Sequence, residues 1–315
     1  MIATQFPELG WLKARIAENF RSRRGLGNLQ LDTEGFPSVV INAKSKETFR
    51  PDIAGPLSVF INLQGQSRCK VDGRTVVVGE DNYFISNRHQ PYTLEIENNA
   101  TTETFNIHIG EYFSEQFFAG VMQSSDTLLN QGKQLNIPTI AFHNQLYRRD
   151  AVFDALVNEI RSARQEAGFD KLLFEEKLAG LLFYLLQQHR GILRQIQSIP
   201  PLKQATRIEL YKRLSLGADY IQSAYNSAID LDAIASAACL SKFHFLRLFR
   251  LAYGVSPYQC LQQLRISRAE NLLKHSSASI ADIALQLGFE NSNSFSRLFR
   301  QHRGVYPSQY RLAVN

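Results

Sequence analysis

Cysteine is scarce in this chain. Cys69, Cys239 and Cys260 are the only three among 315 residues, and their spacing fits neither a disulfide framework nor a zinc site. Cys239 and Cys260 fall on apolar faces of expected helices, so buried thiols are expected there. Long hydrophobic runs are also missing. The longest, residues 178–186, is far short of the roughly 20 residues that cross a bilayer. The first residues lack the basic-then-apolar layout of a secretion signal. No His-x-His pair occurs, and His89 and His108 stand apart, so no centre of three or four metal ligands is expected. A nucleophile triad and a Gly-rich phosphate loop are absent as well. These absences point away from a secreted, membrane-spanning or catalytic chain and imply no cofactor. A reducing cytoplasm suits them.

What is present is an ordinary globular composition, with 44% hydrophobic and 20% charged residues. The length suits two or three domains. Charge is unevenly spread. From residue 200 onward there are 14 Lys and Arg against seven Asp and Glu, a net of +7, while the rest of the chain nets −1. A cationic excess confined to one segment is the footprint of a polyanion binder.

Within that segment, residues 279–311 read as two short helices around a tight turn. Ile280, Ile283, Ala284 and Leu287 recur at helical spacing. Gly288 ends the first helix, and Asn291 or Ser292 can cap the second. The second helix divides into an apolar face, Phe295, Leu298 and Phe299, and a polar-cationic face, Ser292, Asn293, Ser296, Arg297 and Arg300. Apolar behind and cationic in front suits a helix-turn-helix reader of DNA. The pattern then repeats. Fifty residues earlier, Phe245, Arg247, Leu248, Phe249, Arg250, Gly254, Val255, Pro257 and Gln259 match Phe295, Arg297, Leu298, Phe299, Arg300, Gly304, Val305, Pro307 and Gln309. The first copy has one residue fewer in its turn. One unit is used twice, with a connecting helix expected over residues 257–275.

The tandem repeat, the RLFR-G-V-x-P signature in both halves and the stretch LRISRAENLLKHSSASIADIALQLGFENSNSFSRLFRQHRGVYPSQYR resemble the AraC/XylS family of bacterial transcription regulators. The sequence departs from the family pattern at Asn293-Ser294, where a bulky residue is usual. The resemblance implies RNA polymerase as a partner, activation as the habitual mode and a nucleoid location in a bacterial cytoplasm.

The chemistry of the residues assigns roles on double-stranded DNA. Arg247 and Arg297 suit bidentate contact with guanine O6 and N7. Phe243 and Leu246, apolar on a cationic face, suit thymine methyls. Asn293 suits adenine, and Ser292 and Ser296 suit a base or a phosphate. Lys242, Arg250, Arg300 and Arg303 are expected on phosphates, which position without reading sequence.

From residue 36 to 110 the texture is short β-rich runs broken by Gly65, Asp72-Gly73 and Gly79. Seven strands are expected: SVVINA, LSVFINLQG, SRCKVDG, RTVVVG, NYFIS, YTLEIE and TETFNIHIG. Together they imply a closed or sandwiched all-β domain, similar to the cupin-like sensor barrel of the same family. That likeness implies a small-molecule effector. Residues 10–24 suit a short amphipathic helix. Two helices are expected between residues 145 and 191, the first lined by Val152, Leu156, Val157 and Ile160, the second by Leu172, Leu173, Leu178, Leu181, Leu182, Leu185 and Leu186. The second is apolar around much of its girth, which together with the family likeness implies a homodimer. Residues 191–207, with Pro200-Pro201, read as a linker. A following helix over residues 208–225 carries the stripe Leu210, Leu214, Ala218 and Ile221.

The expected fold is thus multidomain. An all-β cupin-like sensor barrel (1–144) precedes a helical dimerisation segment and linker (145–199). An all-α DNA-binding domain (200–315) follows, with helix-turn-helix motifs at 230–251 and 279–301. Two other classes share such a DNA-binding module: cupin-type enzymes and alkyl-transfer repair proteins. The latter need a cysteine cluster that three scattered thiols do not supply.

Overall fold

The computed structural model describes residues 2–8, 38–122, 140–162, 171–200 and 203–314. The helix expected over residues 10–24 lies outside them. The chain divides into two compact units, Met1–Arg190 and Gly191–Asn315.

The first unit is built on an eight-stranded, mainly antiparallel sheet: β1 (Ile2–Ala3), β2 (Val39–Ala54), β3 (Leu57–Gln64), β4 (Ser67–Val71), β5 (Arg74–Val78), β6 (Asn82–Ser86), β7 (Pro91–Ile109) and β8 (Leu146–Arg148). Strand order is β1-β2-β7-β3-β6-β8, with β4 between β7 and β5. The long, bent β7 holds this together. It pairs with β2 along its length, with β4 through residues 92–95, and with β3 through its second half. The result is a nearly closed barrel. Its interior packs Ile53, Phe60, Cys69, Val71, Val76, Val78, Phe84, Tyr92, Leu94 and Leu146.

Two of the expected strands, YTLEIE and TETFNIHIG, are one strand. Asn98 to Thr101, turn-like residues, are absorbed as a bulge, because Ser45 pairs with Thr102 and Glu47 with Glu97. A second bulge in β2 takes up Pro51 and Asp52, the latter at φ 52°. Proline is tolerated there because a bulged residue leaves the ladder.

Among the described residues, α1 (Glu111–Met122) and α2 (Ala151–Ser162) belong to this unit, and α3 (Lys171–Ser198) begins in it and runs past its last residue, Arg190. Helix α1 was not legible in the sequence, and β8 lies where a helix was expected. In α2 the core positions are Phe153, Val157 and Ile160, with Val152 exposed instead. Phe153 stacks on Tyr83, ring centroids 4.0 Å apart. Along α3, Leu178, Leu181, Leu182, Leu185 and Leu186 are buried, whereas Leu172 is 76% exposed. The helix runs on to Ser198, so the first eight residues read as linker are helical.

The second unit comprises α4 (Gln204–Ala224), α5 (Leu231–Ala237), α6 (Lys242–Tyr253), α7 (Pro257–His275), α8 (Ile280–Gln286), α9 (Ser292–Arg303) and α10 (Pro307–Val314). In α4 the buried stripe is Tyr211, Leu214, Gly217 and Ile221, shifted from the expected Leu210 and Ala218. Gly217 lets the Phe245 ring approach; a Cβ there would lie 2.6 Å from it. Ser256 and Gln259 form a reciprocal capping box that starts α7, with Pro257 at its first turn. Around α7, Ile266, Ala269 and Leu273 join Ile283, Ala284, Leu287, Phe295 and Phe299 in one apolar core.

Candidate nucleic-acid interface

In the first motif Asp230 caps α5, its carboxylate accepting from the Ala233 N–H at 2.8 Å. The turn places Cys239 at φ 51°, and the Leu240 N–H donates back to the Ala235 carbonyl. Ser241 then begins α6, although its hydroxyl makes no capping bond. Phe245, Leu248, Phe249 and Ala252 are buried on one side of α6. Arg247 and Arg250 are exposed on the other, Leu246 and Lys242 are half-buried, and Phe243 is 82% exposed.

The second motif repeats this frame. Ser279 and Asp282 form a capping box at α8. Gly288 takes the left-handed position at φ 75°, and the Phe289 N–H donates to the Ala284 carbonyl. Asn291 caps α9 through the Ser294 N–H at 2.9 Å. Phe295 and Phe299 are buried. Asn293, Arg297 and Arg300 are exposed, with Ser292 and Ser296 half-buried beside them. Gly254 and Gly304 end the two reader helices in the same left-handed conformation, φ 74° and 78°, as C-terminal glycines do.

The cations divide by their partners. The side chains of Arg247, Arg250 and Arg297 make no ion pair or hydrogen bond to any described residue. Lys242 Nζ lies 2.5 Å from Asp232 Oδ2. Arg300 is oriented by Tyr306: its Nη1 donates to the hydroxyl at 2.7 Å, and its guanidinium lies 4.7 Å from the ring centre. Arg303 forks onto Glu270 of α7, with Nε 2.6 Å from Oε1 and Nη2 2.8 Å from Oε2. Tyr306 and Glu270 were not picked out as functional residues. The only sequence signal for Tyr306 is that it stands where the first repeat has Ser256.

Arg265 ties the second motif to the rest of the unit. Its Nε donates to the Tyr225 carbonyl at 2.8 Å and its Nη2 to the Ser227 carbonyl at 2.9 Å, with the Phe289 ring centre 5.1 Å away. Burial lowers its pKa from the ordinary arginine value. The thiols differ from expectation. Cys239 is exposed at the turn and Cys260 is half-buried; only Cys69, in the barrel, is fully buried.

The profile of the helix-turn-helix domain family matches residues 234–313. The carboxyl-terminal unit carries a helix-turn-helix domain. The transcriptional activator RhaR of Escherichia coli K12 is 35% identical over 137 residues, 43% of this chain and 45% of that protein. The chain thus spans under half the length of the curated relatives it matches. Among solved structures, the C-terminal domain of AraT, a response regulator from Geobacillus stearothermophilus, is 26% identical over 32% of this chain and 84% of its own, with a TM-score of 0.31. ToxT from Vibrio cholerae O395 aligns over 88% of this chain and 98% of its own at 13% identity and a TM-score of 0.36. In this helix-turn-helix domain α6 and α9 are separate copies of one element joined by α7.

Among the described residues no group of three or more His, Cys, Asp or Glu could hold a metal ion. No described helix is long and apolar enough to cross a membrane.

Proposed function

We propose that the protein is a sequence-specific, DNA-binding transcription regulator, an activator, whose barrel senses a small-molecule effector. The observation that carries the reading is the pairing of two reader helices, each with an exposed, unpaired arginine at the same place, Arg247 and Arg297. A surface arginine free of intramolecular partners is available for a guanine edge. Asn293, Ser292 and Ser296 flank Arg297, and Phe243 and Leu246 flank Arg247, as base-contacting side chains. Lys242, Arg250, Arg300 and Arg303 are assigned to phosphates, with Arg300 pre-oriented by Tyr306.

Helix α7 has 19 residues and so spans roughly 28 Å at 1.5 Å per residue. That length suits two readers entering successive major grooves, about 34 Å apart. One chain then covers about two turns of duplex. A homodimer through the exposed face of α3, where Leu172 and Phe183 lie open, doubles the site. RNA polymerase is the partner on the promoter, and a bacterial cytoplasm is the compartment. The role is regulatory rather than catalytic, and the organisation is a sensor region (1–144), a helical segment (145–199) and a DNA-binding domain (200–315).

Selection of binding sites from a random duplex pool tests the reading. A two-part motif spread over about 20 base pairs is expected from two adjacent turns. Equal affinity for random and selected duplex at moderate salt overturns it. Sedimentation at micromolar concentration tests the dimer, which a monomeric mass excludes.

A further inference from the structure

Arg50 is out of place by every ordinary rule of burial. It lies on β2 with Leu94 of β7 directly opposite, and Leu94 in turn faces Cys69 of β4. Leu94 and Cys69 are both part of the packed barrel interior, so the row places Arg50 on the inner face. Only 9% of its surface is exposed. Its Nη2 is buried without a hydrogen-bond partner, and no carboxylate of the described residues pairs with it. What it does touch is aromatic: the Phe6 ring centre lies 5.4 Å from the guanidinium. Burial lowers its pKa, opposed in part by Tyr92. A buried guanidinium with no counter-charge is costly to fold around. Departures of this kind concentrate at functional sites, and the partner this one lacks is an anion.

The surroundings describe the rest of that anion. Phe60 stands at the centre, 4.8 Å from the Tyr92 ring and 6.2 Å from the His108 ring, with Phe84 at 6.5 Å. His108 Nδ1 is engaged by Ser58 Oγ at 2.8 Å. The Tyr92 hydroxyl and His108 Nε2 have no partner among the described residues. Burial, then the Arg50 charge, lowers the His108 pKa to about 4, so the imidazole is neutral at neutral pH and adds no second cation. One fixed positive charge, two uncharged polar groups and aromatic walls select a single negative charge on an apolar body.

We propose that the barrel interior binds a small organic monoanion, a carboxylate on an apolar or aromatic body, with Arg50 as its counter-charge. A guanidinium fork matches the two carboxylate oxygens. The proposal rests on the effector reading given above and names the chemical class of the effector.

The probes are phenylacetate and hexanoate, each beside its neutral amide, with the full chain followed by thermal shift and calorimetry. Both acids are expected to raise Tm and both amides to leave it unchanged. Arg50→Gln should weaken acid binding at least tenfold, and Arg50→Lys less. Lys44→Gln, an exposed cation paired with Glu103 at 3.2 Å, should leave binding intact. Without ligand, Arg50→Gln should keep or raise Tm, because an uncompensated charge is removed. The proposal is overturned if neither acid binds at millimolar concentration, if the amides bind as well as the acids, or if Arg50→Gln binds acids undiminished. A marked fall in the unliganded Tm of Arg50→Gln, with acid binding kept in Arg50→Met, also overturns it by making the guanidinium structural. Anisotropy with a selected duplex separates the two readings. Acids that bind without changing DNA affinity defeat the sensor reading and leave the anion site. Amides that change DNA affinity while acids do not defeat the anion site and leave the sensor.

Discussion

Cys239 and Gly288 occupy the same backbone position in the two motifs, at φ 51° and 75°. Each is followed by an N–H that reaches back to the last turn of the preceding helix. A side chain in that conformation costs about 1–2 kcal/mol. Cys239→Gly therefore removes strain, offset by a more flexible unfolded chain, and should stabilise the protein by up to about 1 kcal/mol. Gly288→Ala should do the opposite and more. Its new Cβ would lie 2.8 Å from Arg265 Nη2 and 2.9 Å from the Asn226 carbonyl oxygen, so a clash adds to the strain and the loss should exceed about 2 kcal/mol. Urea unfolding of both variants checks the pair of signs.

Arg297 and Arg300 lie three residues apart on α9, yet their circumstances differ. Arg297 has no intramolecular partner among the described residues, whereas Arg300 is held by Tyr306. Arg297→Ala should relax base preference at one position of the site, with a loss of about 1–3 kcal/mol on the preferred duplex. Arg300→Ala should weaken all duplexes alike. Site selection with each variant separates them; an unchanged preferred motif for Arg297→Ala would defeat the assignment.

The duplication was legible because both copies carry the same constraints in sequence: apolar spacing, a turn, a cap and a glycine stop. Gly254 and Gly304 mark both helix ends because few other residues accept that conformation. Cys239 shows the limit. A cysteine gives no left-handed signal, so its exposure at a turn was hidden behind its usual preference for burial. In the barrel, Asn98 to Thr101 read as a turn, but pairing of β7 with β2 on both sides of them outweighed local preference. The partnerships of Arg300 with Tyr306 and of Arg303 with Glu270 depend on how α7, α9 and the following turn pack. No spacing rule announces them. Arg50 was passed over because a lone arginine in a strand reads as an outward charge, and a bulge after it breaks the alternation.

Arg303 was assigned to a phosphate, but its fork onto Glu270 links α9 to α7. Arg250 has no such tie among the described residues. Arg250→Ala should lower the slope of log affinity against log salt by about one unit, the signature of one lost phosphate contact. Arg303→Ala should change that slope less and instead lower the stability of the second motif. Arg303 is exposed and Glu270 half-buried, so the stability loss should be about 1 kcal/mol. A salt titration of the two variants beside the wild type decides between a phosphate clamp and an interhelical brace.

His108 gives the barrel a pH dependence whose sign is set by its surroundings. Burial, then the charge of Arg50, lowers its pKa to about 4, against about 6.5 in an unfolded chain. Between those values the unfolded state binds more protons, so stability rises with pH across that window and falls as pH drops through it. Among the described residues the ring meets Ser58, hydrogen-bonded to Nδ1, the edge of Phe60 and the charge of Arg50, none of which titrates there. The barrel should therefore lose up to about 3 kcal/mol between pH 6.5 and pH 4 from this one group. His108→Gln keeps a polar partner for Ser58 and cannot take up the proton, so the loss over that interval should shrink by nearly that amount. Urea unfolding at pH 4.5 and 7.5 reads the difference. An equal loss in the variant would place the acid sensitivity on other groups and would mean that the His108 ring is better solvated than its place beside Phe60 and Arg50 implies.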